Sequence, residues 1–143
     1  MKHSLVISAA IVALCGVAAG SAAAVASQAP KSSALVIRHQ VRGCHTWSVN
    51  GGAWAAAQST RIARNGTITI VDNDVMPHKL IQRGGPAARY VGTPALNHMG
   101  AWVKVVFPKA GVYHFTTKPG EDYMAGMKTI GEDNVLHLTV TVP

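Results

Sequence analysis

Beyond residue 33 the chain alternates apolar and polar positions in short runs. The run 135–142, VLHLTVTV, is the cleanest. Leu136, Leu138, Val140 and Val142 fall on one side, with His137, Thr139 and Thr141 on the other. A two-residue period marks a half-buried strand, because successive side chains point to opposite faces. The same pattern predicts Ile68 and Ile70 inward in 67–72. It predicts Tyr113 and Phe115 inward and His114 outward in 111–117. Further strands are predicted at 34–39, 45–49, 60–63, 78–82 and 101–107.

Turn formers bound these runs: Asn50-Gly51-Gly52, Gly84-Gly85-Pro86, Pro108 and Lys109-Ala110-Gly111. Asn65-Gly66 between 60–63 and 67–72 predicts a hairpin, since both residue types accept positive φ cheaply. No convincing helical period appears after the N-terminal run, and 53–58 (AWAAAQ) is at most one short helical turn. About seven or eight closely spaced strands predict an all-β fold, a β-sandwich with Greek-key connections.

The N-terminal run differs. Lys2 and His3 precede an uncharged, Ala-rich stretch from Leu5 to Ala26, which ends in the small-x-small triplet Ala24-Val25-Ala26. This is the layout of a secretory signal peptide. Residues 1–26 are predicted to be removed, 27–33 to form a flexible leader, and 34–143 to form one domain. The predicted location is periplasmic or extracellular, or membrane-anchored if the segment is not cleaved. No internal repeat is present.

Export changes the meaning of the cysteines. Cys15 lies within the signal, and Leu14 before it is too large for a lipoprotein cleavage site. Cys44 is then the one thiol of the mature chain, where cysteines usually pair. A lone thiol is a partner in an intermolecular bridge, a reactive group, a metal ligand, or simply a small buried apolar residue. The formal net charge is +7, but the basic residues are scattered, with no basic run or basic-aromatic repeat. That argues against nucleic acid and favours association with an anionic envelope surface or an acidic partner protein.

The most informative segment is 71–80, VDNDVMPHKL. A strand ends, a polar turn follows, and a proline presents His78 at the start of the next strand. His78 shares parity with Leu80, while charged Lys79 and Arg83 take the other face with Ile81, so His78 is predicted to point inward. It is then either a core histidine bonded to a carbonyl or a ligand. Asp72 and Asp74 read first as turn formers. Trp54 and Trp102 read as packing residues. His39 reads as exposed and His98-Met99 as loop.

TITIVDNDVMPHKL resembles the strand–turn–histidine segment of the cupredoxins, the small copper β-sandwiches. GVYHFTTKPGEDYMAGMKTIGEDNVLHLTVTV is similar to their last two strands and the intervening loop. The resemblance covers roughly 60–143 and implies a cupredoxin-like sandwich with one copper ion. In the family that loop carries Cys, His and Met ligands. Here the cysteine position falls at Thr116 or Thr117 and the histidine position near Glu121. Met127 matches the methionine, with Met124 as an alternate. Asn73 corresponds to a family residue that ties two loops by hydrogen bonds.

The missing ligand types recur in RGCHTW (42–47), in the turn that the family places at the metal end. The resemblance thus implies a site of Cys44, His45, His78 and Met127, a donor set with the softness copper prefers. Glu121 in place of one of these gives a harder site. Neighbours on a regular strand face opposite ways, so Cys44 and His45 both ligate only from a turn or bulge, which Gly43 permits. On a regular strand Cys44 ligates and His45 does not. Trp47 shares parity with His45 and is placed to shield the metal.

The expected role is an exported one-electron carrier, not an enzyme, working with a redox partner protein or a copper donor or acceptor. The alternatives are a copper chaperone or scavenger without electron transfer, and a metal-free sandwich used as an interaction module.

Overall fold

A computed structural model describes residues 28–39, 45–119 and 135–143. The predicted signal peptide, Cys44, Glu121, Met124 and Met127 lie outside the described residues. Ten strands are present among them: β1 (Ser32–His39), β2 (His45–Val49), β3 (Ala57–Arg61), β4 (Thr67–Asp72), β5 (His78–Gly84), β6 (Arg89–Val91), β7 (Ala95–Leu96), β8 (Trp102–Val106), β9 (Gly111–Pro119) and β10 (His137–Val142). No described residue is helical.

The strands form two five-stranded sheets, ordered β2-β1-β4-β8-β6 and β3-β10-β9-β5-β7. β1 with β4 and β10 with β3 run parallel, and the other paired strands run antiparallel. From β2 to β9 the chain changes sheet at every connection. The all-β sandwich expected from the alternation is therefore present.

The predicted faces hold. Leu136, Leu138, Val140, Val142, Ile68, Ile70, Tyr113 and Phe115 are all buried, while His114 and His137 are exposed. Phe107 sits edge-on to Tyr113 with ring centroids 5.0 Å apart, in the geometry aromatic quadrupoles favour. Each such side chain contributes roughly 1.5–3 kcal/mol when fully removed from water. The Tyr113 hydroxyl donates to the Lys109 carbonyl at 2.6 Å, so its one polar atom is not stranded.

Several local expectations are corrected. Segment 53–58 is extended: Ala55 bridges Trp47, and Ala57 begins β3. Asn65-Gly66 does turn the chain, with Asn65 at φ 61°, but β3 and β4 lie in different sheets. The turn is a corner rather than a hairpin, and a Cβ on Gly66 would strike the Ile62 side chain. β6 and β7 add two strands that the alternation does not mark, because runs of three and two residues are too short to display it. β1 starts at Ser32, and the carbonyls of Pro30 and Lys31 accept bonds from Ala63 and Thr67. Residues 30–33 thus belong to the sandwich rather than to a leader. Trp102 is 51% exposed and Trp54 38%, so neither is a core packing residue. Trp54 lies under the Arg38 guanidinium, 5.3 Å from its ring centroid.

The topology brings five strand termini to one end. β1 and β4 are parallel, with Ile37 opposite Asp72, so they finish together. β2 begins there, with His45 opposite His39. β5 begins there with His78 opposite Pro119, the last residue of β9.

Candidate metal centre

His45 opens β2 on the same side as Trp47, which is fully buried, and it points into the sandwich at 1% exposure. His78 opens β5 and is fully buried, as its parity with Leu80 predicts. Their rings meet edge to face with centroids 4.8 Å apart. Two residues 33 positions apart in sequence are thus packed together at one end of the sandwich.

The turn between β4 and β5 makes this possible. Asp72 Oδ1 accepts the Asp74 N–H at 2.9 Å, and Asp74 Oδ1 accepts the Met76 N–H at 3.0 Å. These are two successive Asx turns, the local bond that short acidic side chains offer best. The Asn73 N–H donates to the Ile37 carbonyl at 2.9 Å and fastens the turn to β1. Asn73 therefore ties elements together through its backbone. Asp74 adds a side-chain tie, with its Oδ2 2.7 Å from His45 Nδ1.

The same oxygen stands 3.8 Å from His78 Nε2, too far for a hydrogen bond. Neither ring nitrogen of His78 has a hydrogen-bond partner among the described residues, and nor does Asp72 Oδ2. Buried polar atoms are nearly always paired, so these three mark the end of the sandwich as unlike the rest.

Burial pushes the His78 imidazolium down to about 4, and the adjacent His45 adds to the shift against the opposing pull of Asp74. His78 is neutral at pH 7 and keeps a free lone pair. Burial raises Asp74 too, but the His45 hydrogen bond, the Met76 N–H and the nearby imidazoles outweigh it and hold the carboxyl below its usual range. Burial drives Asp72 up to about 7, against the hydrogen bond from Asp74.

A desolvated imidazole pair beside an ionised carboxylate fits a transition-metal cation. Imidazole suits copper and zinc, and a metal bond would engage a nitrogen that has no partner among the described residues. His39, although exposed as predicted, adds a donor at the rim. One donor atom each from His39, His45 and Asp74 lie within 4.8 Å of one another. His98 is exposed, and its Nδ1 sits 3.0 Å from the Met99 carbonyl.

Thr116 and Thr117, where the resemblance would place a cysteine, are both buried. The Thr117 hydroxyl accepts the Leu136 N–H at 3.3 Å, so it closes the β9–β10 pairing instead of serving a ligand set. The sequence marks Asp74 first as a turn former. Its second oxygen meets a residue from another strand, and no local spacing encodes that contact.

No family model and no curated protein matches the chain. Among solved structures it is similar to a purple cupredoxin from Nitrosopumilus maritimus, at 20% identity over 76% of this chain and 98% of that one, with a TM-score of 0.41. It is similar to a mutant amicyanin in the reduced state, at 16% identity over 77% and 82%, with a TM-score of 0.38. It is also similar to a cysteine protease inhibitor from Entamoeba histolytica, at 10% identity over 61% and 86%, with a TM-score of 0.41. Similarity of this degree assigns no ligand. What fold and site together define is a two-sheet β-sandwich with a buried His–Asp–His cluster at one end.

Proposed function

We propose that the protein is an exported copper-binding protein that holds one copper ion at this end of the sandwich and serves as a one-electron carrier. The observation that carries the proposal is His78: a fully buried, neutral imidazole beside His45, with both nitrogens unpartnered among the described residues. Leaving such a group unsatisfied costs about 1–3 kcal/mol, a cost that ligation would offset.

His45 and His78 supply imidazole in this reading. Cys44, adjacent to His45 in sequence, supplies a thiolate and Met127 a thioether, with Glu121 and Met124 as the alternates. Copper so held supplies a one-electron couple. The chain's part is to hold the imidazoles on paired strand ends and to keep water from them. No substrate chemistry is assigned. Residues 1–26 direct export, and the net charge of +7 favours an acidic redox partner or copper donor.

The test is a Cu(II) titration of the purified mature protein. It should bind one equivalent, absorb in the visible through thiolate-to-copper charge transfer, and show a reversible one-electron couple. Cys44→Ser should lose the band. A protein that stays colourless and leaves stoichiometric Cu(II) unbound contradicts the proposal. Tight Cu(I) binding without a reversible couple would make it a copper scavenger instead.

A further inference from the structure

Asp74 does more than turn the chain. The turn needs only an oxygen to accept the Met76 N–H, which Oδ1 provides at 3.0 Å, and an asparagine would serve equally. The second oxygen, fully buried, is aimed at two imidazoles from different strands. A buried charge is costly, and the turn gives no reason for one.

The carboxylate settles the state of His45. It can only accept, so at 2.7 Å the hydrogen of the bond must sit on His45 Nδ1. In the neutral ring the lone pair is then on Nε2. We propose that Asp74 is the positioning residue of the metal centre: it makes Nε2 the ligating nitrogen of His45, fixes the ring, and sets a negative charge beside the metal that favours Cu(II) over Cu(I). This rests on the copper reading above and deepens it. A carboxylate on the far nitrogen of a ligating histidine orients the ring and raises its basicity, and its removal typically costs about 10–100-fold in metal affinity.

Two measurements test it. In the metal-free wild-type protein, nitrogen-15 shifts of the His45 ring should show the proton on Nδ1, and a ring protonated on Nε2 alone overturns the proposal. This needs no variant and no copper. The second compares wild type with Asp74→Asn, which retains shape and the turn oxygen. Cu(II) affinity should fall about 10–100-fold. Cu(I) affinity should fall less, because a monocation feels the lost charge less. The reduction potential then rises by about 59 mV for each tenfold difference between the two losses. Unchanged affinities, or equal losses for the two oxidation states, overturn the proposal while leaving the copper reading intact. If the wild-type protein binds no copper, the copper reading fails and this proposal fails with it.

Discussion

β10 and the first residues of β2 are both short strands of one sandwich, yet they are buried in different ways. β10 alternates: Leu138, Val140 and Val142 go in, His137 is exposed, and Thr139 and Thr141 are half-buried. In β2 all of His45, Thr46, Trp47 and Ser48 are buried. The chain beyond β2 folds back over it, with Ala55 bridged to Trp47 and the Ser48 hydroxyl donating to the Gly52 carbonyl at 2.7 Å. Burial in β10 is hydrophobic and needs no partner. Burial in β2 includes polar groups, and those of Ser48 and His45 are bonded. Across from them, the ring nitrogens of His78 have no partner among the described residues. The difference separates residues kept for stability from residues that cost stability.

Substitutions on the two sides should therefore move stability in opposite directions. The largest effect is expected for Leu138→Ala, which opens a cavity in the shared core. Urea denaturation should show a loss of about 2–5 kcal/mol, with copper binding by the folded fraction unchanged.

Acid exposes a second contrast in the metal-free protein. His78 titrates at about 4 when folded and at 6.5 when free. Between those values the unfolded chain takes up a proton that the folded chain refuses, so stability falls as pH falls, by about 3 kcal/mol in all. Asp72 is opposite in sign, titrating at about 7 when folded against 3.8 free. The folded chain keeps a proton that the unfolded chain releases, so stability falls as pH rises, by about 4 kcal/mol. The two slopes oppose each other between pH 4 and 6.5. Asp72→Asn should leave the His78 slope, with stability rising from pH 4 to 6.5. His78→Leu should leave the Asp72 slope, with stability falling from pH 4 to 7. Denaturation midpoints across that range check both.

At fixed pH 7, His78→Leu should stabilise the metal-free protein by about 1–3 kcal/mol, because an apolar side chain replaces a buried imidazole that has no partner among the described residues. A loss of stability on that substitution would make His78 an ordinary core residue. The smallest effect is expected for Tyr113→Phe, which removes the bond to the Lys109 carbonyl at 2.6 Å. It should cost about 1 kcal/mol and leave metal binding untouched.

How much of this was legible in the sequence follows from the range over which each force acts. Alternation in β4, β9 and β10 reports burial residue by residue, so the inward faces could be read directly. The parity of His78 with Leu80 gave its direction in the same way. Sheet membership is a non-local property, which is why Asn65-Gly66 looked like a hairpin but is a corner. Trp102 looked like core because it is large and apolar, but it takes the outward face of β8. The pairing of His45 with Asp74 joins residues 29 positions apart and leaves no periodic trace. Cys44 and Met127, which the resemblance brought into the site, lie outside the described residues.

Whether His45 and His78 bind the same copper ion can be read from pulsed electron paramagnetic resonance of the protein loaded with one equivalent of Cu(II). Couplings to two imidazole nitrogens are expected in the wild type, and to one in each of His45→Gln and His78→Leu. A wild-type spectrum without histidine couplings, or one that neither substitution alters, would contradict shared binding.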